Sequence, residues 1–174
     1  MSVINTQLRR IFVLGGYTSN FIGKGSKFYI DKKHPLFGKE TNPTCKQYIK
    51  KTITETLKMN GIDPTSLSPK EKIQIDNAYV SNFIGELTEN QGHLNTAIAQ
   101  AHPSLNYIPS VRVESACSSG GAAFCLACNS IRAGDDISLL VGVEVQMTAS
   151  ARIIGDYLAR FDFFFQKQKN VKKI

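Results

Sequence analysis

No stretch of the 174 residues is apolar for long enough to cross a bilayer. The apolar run nearest the N-terminus, Ile11-Phe12-Val13-Leu14, is too short for a secretory signal. A soluble chain without membrane insertion is therefore expected. Cysteine is scarce: Cys45 stands alone, and Cys117, Cys125 and Cys128 share one short segment. Four thiols so unevenly placed do not make a small disulfide scaffold, and reduced thiols in an intracellular compartment fit better. Acids are missing from residues 1–30, which hold Arg9, Arg10, Lys24 and Lys27. That stretch weakly resembles an organellar presequence but overlaps what reads as a first strand. The terminal Val-Lys-Lys-Ile is not a peroxisomal address of the Ser-Lys-Leu kind, so the sequence leaves cytoplasm, mitochondrion and peroxisome all open. Repeats of solenoid length are absent too.

What the chain does have is the apolar material of one globular domain, with 42% hydrophobic and 9% aromatic residues. Its formal net charge is +7, but beyond Phe161 four lysines (167, 169, 172, 173) stand against the single acid Asp162, so much of the excess sits in the tail. The body shows no basic stripe interleaved with aromatics, and no nucleic-acid partner is expected. A modestly basic rim also suits a ligand bearing phosphates.

Residues 11–14 form an apolar run closed by Gly15-Gly16 and read as a buried strand. Between Cys45 and Met59, Tyr48, Ile49, Ile53 and Leu57 fall at helical spacing, and Asn60-Gly61 supplies a stop. A Pro- and Ser-containing connector over 62–72 precedes a second strand over 75–83, and residues 91–101 read as a helix halted before Pro103. A third strand, 108–114, runs into Ala116-Cys117-Ser118-Ser119-Gly120-Gly121, where small residues let a helix begin abruptly and continue to Arg132. A further apolar run, 137–145, completes an alternation that predicts an α/β fold with a mostly parallel sheet and covering helices. Residues 151–160 have helical spacing, and Phe161, Phe163, Phe164 and Phe165 then meet only a lysine-rich end.

Cys117 sits where the strand Val-Arg-Val-Glu turns into that helix. Free N–H groups and the positive end of the helix dipole favour an anion at this place, hence thiolate over thiol. The same N–H groups can hold the oxyanion formed when a thiolate attacks a carbonyl. The plainer alternative is that Cys117 is one more small buried residue. Cys125 and Cys128 have the three-residue spacing of half a zinc site, but no second pair or nearby histidine completes it, so no metal is expected. With Ala122, Ala123, Phe124, Leu126 and Ile131 they read as the packed face of the helix. Glu114 and Glu144, at strand ends, and His34, His93 and His102 read as structural.

The segment VRVESACSSGGAA resembles the active-cysteine motif of the thiolase family, specifically sterol-carrier-protein-type thiolases and acetyl-CoA acetyltransferases. The stretches VSNFIGELTENQGHLNTAIAQAHP before it and LLVGVEVQMTASARIIGDYLAR after it extend the likeness over roughly residues 10–160. The resemblance implies two similar βαβαβ halves, of which this chain carries the N-terminal one, cut short of the second. It implies that Cys117 accepts an acyl group from a coenzyme A thioester for a Claisen condensation or its reverse, coenzyme A being substrate and no cofactor being permanently bound. It also implies that the activating histidine and an acid/base cysteine come from the second half, so this chain is expected to be inert alone, to form a homo-oligomer, or to associate with a thiolase C-terminal half. Residues 1–147 are expected to form the thiolase-like domain and 148–174 the start of a loop region with a divergent basic tail, as a frameshift or premature stop would produce. Two alternatives remain. One is a non-catalytic fragment that acts only by binding a full-length partner. The other is a ketosynthase-like condensing enzyme, because Ala-Cys-Ser-Ser also surrounds those nucleophiles.

Overall fold

The computed structural model describes residues 9–61 and 75–160. Helix α1, Cys45–Met59, begins at Thr44, whose hydroxyl accepts the Gln47 N–H while the Gln47 side chain accepts the Thr44 N–H. This reciprocal cap satisfies two N–H groups that the first turn leaves over. Cys45, Ile49, Ile53 and Leu57, four residues apart, form one buried stripe. Asn60 and Gly61, the latter at φ +73°, end the helix in the left-handed region that glycine enters freely.

Three parallel strands follow: β1 (Asn77–Ser81), β2 (Ser110–Val113) and β3 (Ser138–Gly142), in the order β2-β1-β3. Ala78 and Val80 of β1 point to the face carrying α1 and a 3-10 segment, Leu94–Gln100, and join Ile49, Ile53, Leu94 and Ile98 in the main core. A four-residue helix, α2 (Gly85–Thr88), precedes that segment. Helix α3, Ser119–Ala133, lies against the other face, with Gly120 beside the Ser81 hydroxyl. Helix α4, Ala151–Ala159, is capped by Ser150 and buries none of its residues.

Two charged side chains fix the ends of these elements. Asp76 accepts the N–H groups of Asp136 and Ile137 at 2.8 and 3.0 Å, which holds its carboxyl below the usual carboxylate range. The stability it contributes is present above that range and is lost as pH falls through its lowered value. Arg9 donates to the carbonyls of Ile131 and Asp135 and pairs with Asp136 at 2.7 Å, placing a cation at the C-terminal end of α3.

Several expectations change. Residues 11–14 form no strand: Phe12, Val13 and Leu14 are exposed, and the chain is tied down instead by Arg9 and by the Tyr17 N–H on the Thr56 hydroxyl. An apolar run signals a demand for burial but names no neighbour to pair with. The described residues thus carry three strands, not four. The helix expected over 91–101 is the 3-10 segment, since Leu94, Ala97 and Ile98 face inward at three residues per turn as well as at 3.6. The strands are shorter than their apolar patterns, which run beyond the paired residues. Phe161, Phe163, Phe164, Phe165 and the whole of the 62–72 connector lie outside the described residues.

Candidate active site

In a parallel sheet the C-terminal strand ends share one edge, where α/β proteins bind their ligands. Here that edge gathers Asn82 after β1, Glu114 to Ser118 after β2, and Val143 to Glu144 after β3. The chain leaves β2 at Val113, makes a single 3-10 turn, Ala116–Ser118, and enters α3 at Ser119. Ala116 stands at φ +47°, a left-handed conformation disfavoured for any residue with a Cβ.

Side chains hold the turn in place. The Ser119 hydroxyl, on a buried residue, accepts the Ser115 N–H at 2.8 Å and donates to the Ala116 carbonyl at 2.7 Å. Ser118 donates its hydroxyl to the Ser115 carbonyl at 2.6 Å, and its own N–H bonds the same carbonyl at 3.0 Å. Glu114 accepts the Ala116 N–H on Oε1 at 2.7 Å. These bonds engage the N–H groups of Ser115, Ala116, Ser118 and Ser119 and pass over that of Cys117. The Cys117 thiol is exposed, which removes the reading of it as a packing residue.

Cys45 supplies the contrast. It too opens a helix, but it is fully buried, with its N–H on Glu89 Oε1 at 3.1 Å. Burial first, then the nearby carboxylates Glu89 and Glu144, push its thiol up to about 12. A helix N-terminus alone does not activate a cysteine.

Glu144 accepts the Phe83 N–H at 2.8 Å and the Asn82 side-chain amide at 3.4 Å. Although solvent reaches it, the protein packed around it raises its carboxyl above the usual range, against the lowering effect of the Phe83 and Ile84 N–H groups and of Arg112. Arg112 in turn bridges Glu86 at 2.8 Å and the Phe83 carbonyl at 2.9 Å, tying β2 to α2. Asn82 is buried and spans the edge, donating to the Val143 carbonyl at 2.8 Å and accepting the Gly85 N–H at 2.7 Å.

None of the three histidines bonds Cys117. His34 contacts Lys27 and Leu36 within its own loop, His93 contributes backbone bonds, and His102 is buried against Ser104. Cys125 is exposed and Cys128 half-buried, and no metal-holding cluster of His, Cys, Asp or Glu occurs among the described residues. The packed face expected for α3 is smaller than the sequence suggested: Ser119 and Ala123 are buried, while Phe124, Cys125 and Leu126 face outward. Neither Glu114's bond to the turn nor the hydroxyl brackets were read from the sequence; the run Ser115, Ser118, Ser119 around one cysteine was the available signal.

The fold is thus of the α/β class, with an exposed cysteine on a braced strand-to-helix turn at the C-terminal edge of a parallel sheet. The family described as "Thiolase, N-terminal domain" matches residues 36–171, and the chain belongs to the thiolase family. Over 71 residues it is 44% identical to the acetyl-CoA acetyltransferase of Methanocaldococcus jannaschii, and over 75 residues 40% identical to that of Methanothermobacter thermautotrophicus. These alignments take in 40% and 42% of this chain but 18% and 19% of those relatives, so the chain matches under a fifth of either. No helix among the described residues is long and apolar enough to cross a membrane.

Proposed function

We propose that this chain is the N-terminal part of a thiolase-type acyltransferase in which Cys117 accepts the acyl group. The observation that carries the reading is the exposed Cys117 thiol on a left-handed turn at the start of α3, with its own N–H left out of the turn's hydrogen bonds. Its thiolate would add to the carbonyl carbon of an acyl-CoA thioester, and the helix start would stabilise the oxyanion. Collapse of that intermediate breaks the bond to sulfur of coenzyme A, which departs as a thiolate and takes up a proton. The acyl-cysteine then receives the α-carbon of a second thioester, or the sequence runs backward. The proton transfers of that second stage need a base and an acid, which we assign to a thiolase C-terminal half. Residues 1–147 would form the domain presenting the nucleophile and 148–174 would begin the loop region.

Limiting iodoacetamide followed by peptide mapping tests the assignment. Cys117 is expected to be labelled first, Cys125 more slowly, and Cys45 only after unfolding. Earlier labelling of Cys45 or Cys125 would remove Cys117 from the role.

Association is the second part of the proposal. Phe124 and Leu126 of α3, Val111 of the edge strand β2, and Leu140 of β3 are all exposed. Tyr79 and its register partners Val111 and Leu140 share the sheet face on which α3 lies. An apolar face of that kind favours a second copy or a C-terminal half as cover. Light scattering behind size-exclusion chromatography is expected to give a mass above 19.2 kDa for the isolated chain. A compact monomer with a sharp melt would refute this.

A further inference from the structure

We propose that Glu114 is a positioning residue for Cys117, acting by holding Ala116 in its left-handed conformation; this rests on the reading of Cys117 as the nucleophile. Ala116 at φ +47° is the residue that aims the following peptide, and so fixes where the Cys117 N–H and side chain lie relative to α3. An alanine does not stay there unaided. Ser118 and Ser119 bracket the turn from its C-terminal side, through the Ser115 carbonyl and N–H and the Ala116 carbonyl. They leave one group of the strained residue to be held from the strand side, its N–H, and the Glu114 carboxylate takes it at 2.7 Å. The bond spans only two residues, so it depends little on the rest of the fold. It closes the chain back onto the last residue before the turn and gives the left-handed step an acceptor that a relaxed backbone would lose. A glutamine presents the same carbonyl-type acceptor, whereas an alanine presents none.

The test uses the full chain and the ratio of Cys117 to Cys125 labelling under limiting iodoacetamide, with Cys125 as the exposed reference thiol. Thermal melts are recorded alongside. E114A is expected to lower the ratio several-fold while keeping a cooperative melt, and E114Q is expected to keep the parent ratio. Adding A116G to E114A is expected to restore it, because glycine occupies positive φ without strain. The proposal is overturned if E114A matches the parent, if E114Q falls as far as E114A, if A116G restores nothing, or if E114A fails to fold. A parent ratio near one would sink the nucleophile reading itself and this proposal with it. A high parent ratio that E114A leaves untouched sinks the positioning role alone.

Discussion

Acetoacetyl-CoA offered to residues 1–174 with free coenzyme A is expected to be cleaved at least ~10³-fold more slowly than by a complete thiolase, since each positioned acid or base contributes roughly 10²–10⁴. The turn around Cys117 supplies a thiol, a helix dipole and an unengaged N–H, all of which would serve the first addition we propose. The carbon–carbon step also needs protons moved at the α-carbon and at the leaving sulfur. His34, His93 and His102 each bond elsewhere, and Cys45 is buried with its thiol pushed up to about 12. Release of acetyl-CoA, followed at saturating substrate, is the measurement. Fast turnover that vanishes in Cys117→Ala would show that the groups we assign to a second half are dispensable. Supplying a thiolase C-terminal half in trans is the complementary experiment, and recovery of turnover that depends on Cys117 would support the division of labour.

Gly85→Ala is expected to remove about 2–4 kcal/mol of stability, enough to unfold much of a marginal domain, through overpacking combined with a buried amide left short of partners. A Cβ at Gly85 would collide with the Asn82 side-chain oxygen and with Leu94 Cδ1, both on buried residues with nowhere to move. Displacing Asn82 also breaks its bond to the Val143 carbonyl, which continues the β1–β3 pairing past the end of the ladder, and its bond to the Gly85 N–H at the start of α2. Gly121→Ala is the control: nothing lies within 4 Å of its added Cβ, and it sits inside α3. That change should leave stability unaltered or raise it by about 0.5–1 kcal/mol. Urea midpoints of the two variants give the comparison, and equal midpoints would mean that the Asn82–Gly85 contact does not brace the sheet edge.

The bounds of helix α1 were legible, because the helical spacing of Ile49, Ile53 and Leu57 and the stop at Asn60-Gly61 are local signals that agree, while the Thr44 cap was not read. The parallel sheet was legible from alternation, and the strand-to-helix turn at Cys117 from one strand running into small residues. Other features depend on what lies opposite a residue, which sequence spacing does not contain. Phe12 to Leu14 have the composition of a strand but no sheet edge to join. Within α3, the run from Gly121 to Leu126 is apolar on every side, so composition could not say that Ala123 faces in while Phe124 and Leu126 face out. The braces around Cys117 were invisible for a related reason. Ser115, Ser118 and Ser119 are ordinary turn residues until Ala116 takes a positive φ and points their hydroxyls at particular carbonyls and N–H groups.

The strand order β2-β1-β3 places the first of the described strands in the middle, and this bears on how the chain fares while it is being synthesised. β1 leaves the ribosome with both of its edges vacant, and its first neighbour, ending at Val113, lies about thirty residues further on. At roughly 5–20 residues per second, Ala78 to Ser81 wait some seconds for β2. The wait for β3 is longer still. Among the described residues, the apolar cover made before β1 is the stripe of α1, joined by Leu94 and Ile98 before β2 arrives, so the capped helix also acts as a temporary shield for the central strand.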